Sequence, residues 1–284
     1  MSDLIPSAPA AAAPAELDLG ALPVGSRIAV FGGIYNNWLA LQATVDLARR
    51  RGVAATFFLG DTGGFGPHPE RSVELLRSLP VIPMAGNYDH SVGHAREDCA
   101  CGYTDPRDNH FARLSYDYTL AGTSPESRRW LAALPAALRL RFGDQRLLFC
   151  HGSPRRQNEF LWASNCSPAF LRHLCQQARA DLVVCTHTGI PWTRRLPEGG
   201  GLVNVGAIGR PANDGRTEVW AMLLHARADG VEVEALPIPY DHPRLAAEMQ
   251  AEGLPPEFIE TIRTGWWTTC LEILPGKERM AGRY

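Results

Sequence analysis

The sequence has no apolar run near the roughly 20 residues that a membrane-spanning helix needs, and it has no large excess of charge. A formal net charge of −2 over 284 residues provides no electrostatic footprint for duplex nucleic acid or an acidic membrane surface. The start of the chain, MSDLIPSAPAAAAPAELDLG, lacks the basic segment and apolar core of a secretory signal. These absences favour a cytoplasmic protein with a small-molecule substrate, and with neither a nucleic acid duplex nor a membrane as partner.

The seven cysteines are odd in number and scattered, which argues against a disulfide framework and favours a reducing compartment. Cys150, Cys185 and Cys270 lie in apolar stretches and are expected to be small core residues. Cys99 and Cys101 lie in a polar segment that also contains histidines. A separate metal site of thiolates and imidazoles therefore stays open there, beside a purely structural interpretation.

The order of apolar and amphipathic stretches indicates the fold class. From Arg27 onward, short apolar stretches such as RIAVF and ATFFLGD alternate with helical patterns such as WLALQATVDLARRR. After His187 the chain is rich in strand-like stretches, among them GLVNVGA, EVWAMLLHA and VEVEALPI. Alternation followed by a strand-rich half predicts an α/β protein, a two-sheet sandwich flanked by helices.

Composition also suggests how the chain is divided. Residues 1–24 are predicted to be a disordered lead-in, and residues 25–242 a single domain. Residues 243–284, with helical patterns near 243–252 and 255–264, are expected to pack on that domain as C-terminal helices and a tail. Between Tyr88 and Leu120 the periodicity fails, so a long polar loop is predicted, and loops of this length are often functional.

Four polar residues stand directly after apolar strands: Asp61, Asn87, His151 and His187. Each alone has an ordinary structural role, as a turn cap or a buried histidine. Ligand sites in open α/β sheets gather outside the carboxyl ends of strands, so the repeated placement indicates one site. Two imidazoles, a carboxylate and an amide suit one divalent transition metal ion such as Fe, Zn or Mn.

The stretches GDTGGFGP, GNYD, HGSP and CTHTGIP occur in an order that resembles the calcineurin-like metallophosphoesterases, and LVNVGAIGRP resembles the segment that follows them. The resemblance runs from about Arg27 to about Pro243. It implies the metallophosphoesterase fold. It also implies the four strand-end residues as ligands, with Asp61 bridging two metals and the other three binding one of these.

The resemblance fails at the ligands of the other metal. The family holds that ion with an Asp and a His on the first strand and with the last His of a Gly-His-Thr-His motif. Gly33, Tyr35 and Gly189 stand at those positions here, and Tyr88 replaces a histidine that assists the leaving group. Every ligand that binds only this second metal is missing, whereas all ligands of the first metal are present. The resemblance therefore implies a single ion.

The first hypothesis is a hydrolase with one metal ion that cleaves a phosphoester or phosphodiester of a small nucleotide-like metabolite. Tyr88 and Asp89 are the catalytic candidates. Substrate contacts are expected from residues near the metal, namely Tyr35, Asn37, Arg155, Arg156 and Arg210. A non-catalytic metal-containing binding protein, and an enzyme that cleaves a non-phosphate bond on this fold, remain alternatives. The oligomeric state also stays open.

Overall fold

A computed structural model describes residues 16–197 and 199–280 of the chain. Within these ranges, a six-stranded sheet and a five-stranded sheet form a sandwich with helices outside them. The predicted two-sheet α/β sandwich is therefore confirmed. No helix in the described ranges combines the length and the apolar character that crossing a bilayer requires.

The elements of the first half are β1 (Glu16–Leu22), β2 (Arg27–Phe31), α1 (Trp38–Arg50), β3 (Ala55–Phe58), α2 (Pro69–Ser78), β4 (Ile82–Pro83), α3 (Asn87–Gly93), α4 (Pro106–Ala121), α5 (Pro125–Ala132), β5 (Ala137–Phe142) and β6 (Gln145–Cys150). Those of the second half are α6 (Pro168–Ala178), β7 (Leu182–Cys185), β8 (Trp192–Arg195), β9 (Gly201–Asn204), β10 (Val219–Arg227), β11 (Gly230–Ile238), α7 (His242–Ala251), α8 (Pro256–Thr264) and α9 (Gly276–Arg279).

The strand order brings the ends of several strands together. One sheet has the order β11-β10-β2-β3-β4 and the other β1-β5-β6-β7-β9-β8. β2, β3 and β4 are parallel, as are β6, β7 and β9. The two sheets share a buried core, in which the rings of Phe57 and Phe149 stack with centroids 4.8 Å apart. The turns after β3, β4, β6 and β7 consequently meet at one end of the sandwich.

Side-chain caps fix the starts of three helices. The Asn37 side chain accepts a hydrogen bond from the Ala40 amide at 3.0 Å and caps α1. Ser124 and Ser167 cap α5 and α6 in the same way, and each is followed by a proline in the first turn. β5 and β6 form an antiparallel hairpin, with Ala137 opposite Cys150.

The predicted lead-in over residues 1–24 is wrong in part, because Glu16–Leu22 forms β1. This strand pairs in parallel with β5 at the edge of the six-stranded sheet, where Glu16 is opposite Ala137. Its partner lies far along the chain, so the local alanine- and proline-rich composition gave no sign of the pairing. The remainder of that prediction, residues 1–15, lies outside the described residues.

The polar loop predicted from Tyr88 to Leu120 is a second correction, because most of it is helical in α3 and α4. The buried face of α4 repeats at helical spacing through Asp108, Phe111, Ser115, Tyr116 and Thr119. Four of these five side chains carry an acid or a hydroxyl rather than a purely hydrocarbon surface. A search for hydrophobic periodicity consequently misses the helix.

The C-terminal helices lie where the sequence predicts them, as α7 and α8. Their buried side chains share a hydrophobic cluster with Phe65 and Phe111 from the earlier part of the chain. The division at residue 242 stays a prediction. Cys150, Cys185 and Cys270 are all buried, as their apolar surroundings indicated.

The packing of β1 can be tested with two of its leucines. Leu19 packs against the core between the sheets, whereas 47% of Leu17 is exposed. We expect Leu19→Ala to lower the free energy of unfolding by about 1 kcal/mol, since a partly buried leucine loses part of its transfer free energy. Leu17→Ala should change it by less than about 0.5 kcal/mol. Urea unfolding measures both, and equal effects would contradict the placement of β1.

Candidate metal centre

Three potential metal ligands converge at the end of the sandwich. Asp61, His151 and His187 are all buried, and each offers one ligand atom, with these atoms within 4.8 Å of one another. Asp61 and His187 have positive φ angles of 68° and 71°. Non-glycine residues rarely adopt this left-handed conformation, and such local strain clusters at functional sites. The two turns are therefore bent sharply where their side chains meet.

Hydrogen bonds orient the histidine at the middle of this group. His151 Nδ1 lies 2.7 Å from the Leu59 carbonyl oxygen and donates to it. Its Nε2 lies 3.0 Å from Asp61 Oδ2 and 3.1 Å from His187 Nδ1. A backbone carbonyl that holds one ring nitrogen presents the other to a metal, which is the usual arrangement of metal-binding histidines.

The electrostatics of the three groups suit the binding of a cation. Burial alone would lower the pKa of His151, but the adjacent Asp61 carboxylate raises it. Burial would likewise raise the pKa of Asp61, and His151 holds it below its usual value. Burial, together with His151, lowers the pKa of His187 to about 3, so this imidazole is neutral near neutral pH. A metal ion would displace the proton that Asp61 and His151 share.

Asn87 contributes a fourth donor beside these groups. Its Nδ2 donates to the Cys99 carbonyl oxygen at 2.9 Å, while its buried Oδ1 has no hydrogen-bond partner. A Cβ on the preceding Gly86 would lie 2.2 Å from Asp61 Oδ1 and 2.8 Å from His151 Cε1, so the backbone here touches the other ligands. An orphaned buried oxygen is costly unless a cation or donor satisfies it. The four residues therefore fit a divalent metal ion.

The positions of the missing ligands are filled by other side chains. A Cβ on Gly33 would lie 2.4 Å from Tyr35 Cζ, inside the space of the tyrosine ring. A Cβ on Gly189, whose φ is +73°, would lie 3.3 Å from Trp267 Cζ2 and 3.8 Å from Arg210 Nε. The half of the site without ligands is thus packed with two aromatic rings and one guanidinium group.

A cavity of about 60 Å³ opens beside the ligands. Asp61 and His187 line it on the metal side, together with Tyr35, Tyr88 and Arg210. The rest of its wall is mainly aromatic and apolar and includes Phe65, Cys101, Tyr103, Phe111, Ala112, Phe258 and Cys270. Several of these residues come from the segment between Tyr88 and Leu120, which therefore borders the candidate site.

The five residues expected to contact substrate lie in three places. Tyr35 and Arg210 line the small cavity, but Asn37 is committed to capping α1 and its Nδ2 donates to the Ile208 carbonyl oxygen at 3.3 Å. Arg155 and Arg156 line a larger groove of about 660 Å³ on the other side of His151, and Glu159 pairs with Arg155. Of the four ligand residues, only His151 borders that groove. The small cavity is therefore the better candidate for chemistry.

Asp89, the second catalytic candidate, is hydrogen-bonded to the backbone next to the site. Its Oδ2 accepts hydrogen bonds from the amides of Asp61 at 2.7 Å and Gly86 at 2.8 Å, and its Oδ1 accepts from Thr62 at 2.9 Å. Both oxygens are thus used by the backbone that carries Asp61. We infer that Asp89 positions this turn, because three charge-assisted hydrogen bonds fix the backbone strongly.

Tyr88 lines the cavity, and its hydroxyl donates to Ser115 Oγ at 3.0 Å. Burial raises the pKa of this phenol far above its usual value, although the bond to Ser115 opposes the shift. Proton transfer from Tyr88 is therefore disfavoured near neutral pH. Its single hydroxyl hydrogen can reach an oxyanion in the cavity only by leaving Ser115.

Two features of the site have alternatives that the sequence leaves open. Cys99 and Cys101 are joined as a disulfide, so they are not thiolate ligands in this state. The GWWTT stretch near the end of the chain is consistent with two placements, over the mouth of the site or on the sheet, and its Trp267 packs against Gly189 and Arg210. Tertiary packing, rather than a local sequence pattern, brings Trp267 into contact with Gly189 and Arg210.

The start of α4 holds the tail that carries Trp267. Arg107 Nη2 donates to the Thr268 carbonyl oxygen at 2.7 Å, and the Ile273 amide donates to Asp108 Oδ2 at 3.1 Å. These contacts connect the segment predicted as a polar loop to the C-terminal tail. The two segments therefore form the roof of the cavity together.

Comparisons with known proteins agree with this geometry. A family model described as calcineurin-like phosphoesterase matches residues 26–191. The uncharacterized protein MJ0912 of Methanocaldococcus jannaschii is 25% identical over 259 residues, covering 85% of this chain and 99% of that protein. A crystal structure of a metallophosphoesterase from Sphaerobacter thermophilus has a TM-score of 0.66 and 25% identity, covering 85% of this chain and 99% of the other.

A structure of the hypothetical protein PH1004 from Pyrococcus horikoshii has the same fold, with a TM-score of 0.71, 20% identity and coverage of 86% and 100% of the two chains. The fold and the ligand-bearing turns thus define a metallophosphoesterase-type sandwich. The chain belongs to the calcineurin-like phosphoesterase family, whose model matches more than half of it. Membership supports metal-dependent phosphoester hydrolysis as the general activity.

The positioning role of Asp89 leads to a stability prediction. Asp89→Asn replaces one acceptor oxygen with an amide NH2 group that faces a backbone N–H, so at least one buried donor loses its partner. We expect the free energy of unfolding to fall by about 2 kcal/mol in urea titrations. Tyr88→Phe removes one hydrogen bond to Ser115 and should cost only about 1 kcal/mol. An Asp89→Asn variant as stable as the wild type would contradict the role.

Asp108 leads to a prediction about pH. Burial and the neighbouring Glu272 carboxylate raise its pKa to about 7, above the roughly 3.9 of an unfolded chain. Stability from protonated Asp108 is then complete below about pH 4 and is lost as the pH rises through about 7. Thermal melts across this range should show a flatter profile for Asp108→Asn than for the wild type.

Proposed function

We propose that the chain is a phosphoester hydrolase that works with a single divalent transition metal ion, Fe, Zn or Mn, held by Asp61, Asn87, His151 and His187. The observation that carries this proposal is the contrast between two halves of one site. Three buried ligand atoms lie within 4.8 Å of one another, while the places of the absent ligands are filled by side chains. Only one half of the site therefore offers donors to an ion.

The physical argument against a second ion is the supply of ligands. Gly33 and Gly189 have no side chain, and burial raises the pKa of the Tyr35 phenol far above its usual value, so this group is a poor ligand. Asp61 alone carries too little negative charge to hold two adjacent divalent cations against their mutual repulsion. The buried Arg210 guanidinium adds further repulsion on that side.

The residues of the chain have separate roles in the proposed reaction. When bound, the ion supplies a Lewis acid and lowers the pKa of a bound water toward ~7. The Leu59 carbonyl oxygen holds the ring of His151, and Asp89 holds the backbone of Asp61, so both ligands are oriented before an ion arrives. The Tyr88 hydroxyl, whose single hydrogen is on Ser115 Oγ in this structure, would turn from Ser115 to donate a hydrogen bond to an oxygen that gains negative charge in the cavity.

The size of the cavity limits which part of a substrate enters it. A volume of about 60 Å³ is far below the ~300 Å³ at which pockets for whole small molecules begin. We therefore propose that the phosphoryl group enters, while the remainder of a small phosphomonoester or phosphodiester stays at the mouth. A nucleotide-like metabolite fits this arrangement only with its nucleoside outside.

A cytoplasmic location belongs to the same proposal. The five free cysteines in the described part of the chain favour a reducing compartment. The disulfide between Cys99 and Cys101 argues against a reducing compartment.

The metal content tests the proposal. Protein purified without chelator should contain close to one divalent ion per chain by plasma mass spectrometry. His151→Ala and His187→Ala should each lose the ion, because each removes a convergent ligand atom. Tyr35→Phe keeps the ring that fills the vacant half and should retain it. Two ions per wild-type chain, both lost in the histidine variants, would contradict the single-metal site.

Turnover separates an enzyme from a binding protein. Small phosphomonoesters and phosphodiesters should release their alcohol with the metal-loaded protein. The activity should disappear on chelation and return when the ion is added back. A chain that holds one ion, binds phosphate and hydrolyses no ester of such a panel would be a binding protein.

A further inference from the structure

Arg210 is a buried cation without an anionic partner. Only 7% of this residue is exposed, and its Nε has no hydrogen-bond partner. In residues 16–197 and 199–280, no carboxylate forms an ion pair with it. Removing a charge from water without a partner is costly, so proteins rarely leave a guanidinium in this state. An unpaired buried arginine therefore points to an anion that joins it in the working protein.

The neighbours of Arg210 do not supply that anion. Burial raises the pKa of Tyr35, Tyr103 and Cys270, so all three side chains are uncharged near neutral pH. The Asp61 carboxylate lines the same cavity, but it is engaged by His151 at 3.0 Å. The positive charge of Arg210 is thus available to a ligand in the cavity.

Trp267 holds the guanidinium in place. The Arg210 Cζ atom lies 3.5 Å from the centroid of the Trp267 ring, which is a close cation–π contact. Trp267 is itself anchored, because its Nε1 donates to the Pro211 carbonyl oxygen at 2.6 Å and its amide donates to Asn213 Oδ1 at 2.9 Å. Stacking covers a face of the guanidinium and leaves its N–H edge free to donate.

The position of the guanidinium matches the half of the site that lacks metal ligands. Arg210 Nε lies 3.8 Å from the point where a side chain on Gly189 would begin. Arg210 also lines the small cavity together with Asp61 and His187, two of the residues that would bind the metal. A phosphoryl group in this cavity would consequently lie between the ion and the guanidinium.

We propose that Arg210, held by Trp267, forms a cationic subsite that binds the non-bridging oxygens of the substrate phosphoryl group and takes the electrostatic place of a second metal ion. This inference rests on the proposed function. A guanidinium is permanently charged and its planar fork matches two phosphate oxygens, so it can balance charge that one ion leaves uncompensated. Trp267 is a positioning residue in this arrangement, since it acts through Arg210.

The substrate class follows from the same arrangement. The positive charges of a divalent ion and Arg210 exceed the negative charge of the Asp61 carboxylate. The net positive charge that remains balances the dianion of a phosphate monoester. A diester carries a single negative charge and offers fewer free oxygens to the guanidinium fork. The subsite therefore favours a terminal phosphoryl group over an internal diester.

Binding of inorganic phosphate tests the subsite without relying on turnover. Calorimetric titration of the metal-loaded protein should show that Arg210→Gln weakens phosphate binding at least tenfold. Arg210→Lys keeps the charge but loses the fork, so its loss should be smaller. Trp267→Leu should weaken binding severalfold, whereas Trp267→Phe, which keeps a ring under the guanidinium, should stay close to the wild type. Metal content is measured for every variant and should not change.

Arg216→Gln is a matched control, because Arg216 also stacks on a tryptophan, with its Cζ 4.8 Å from the Trp220 ring, but does not line the cavity. Its phosphate affinity should stay within twofold of the wild type. Wild-type protein that binds no phosphate, or Arg210→Gln that binds it equally well at the same metal content, would overturn the subsite. Failure of the single-metal proposal is seen separately, as wild-type protein that holds no ion or two ions.

Discussion

The close approach of two backbone turns at Gly60 and Gly86 is the constraint on which the site depends. A Cβ on Gly60 would lie 2.1 Å from the Gly86 amide nitrogen, so no side chain fits between the ends of β3 and β4. This contact brings Asn87 beside Asp61, and the Asp89 carboxylate then ties both turns together through backbone amides. The ligands are therefore oriented by the backbone before any ion binds, which lowers the cost of organising the site.

The same end of the sandwich combines residues from distant parts of the chain. The ligand turns follow strands of both sheets, and the roof comes from α4 and from the tail after α8. Trp267 of the tail fills the half of the site that lacks donors together with Tyr35, and it also holds the guanidinium of Arg210. In the proposed arrangement, the absence of donors and the presence of a fixed cation go together, because a protein side chain contributes charge that an ion would otherwise supply.

Features set by local pattern could be predicted from the sequence. The strands, the capped helices and the strand-end positions of Asp61, His151 and His187 all follow from short-range periodicity and from parallel topology. Features set by contacts across the chain could not. β1 depends on its pairing with β5, and α4 depends on burial of a partly polar face. The role of Asp89 depends on backbone amides from two other turns, which no residue pattern identifies.

Anomalous scattering from a crystal of the metal-loaded protein, recorded at the absorption edge of the bound metal, tests the central claim most directly. A single anomalous peak is predicted, within bonding distance of Asp61, Asn87, His151 and His187. The guanidinium of Arg210 should lie across the cavity from it, with no peak between Arg210 and Tyr35. A second peak of similar height in that space would contradict a one-metal site and the place assigned to Arg210.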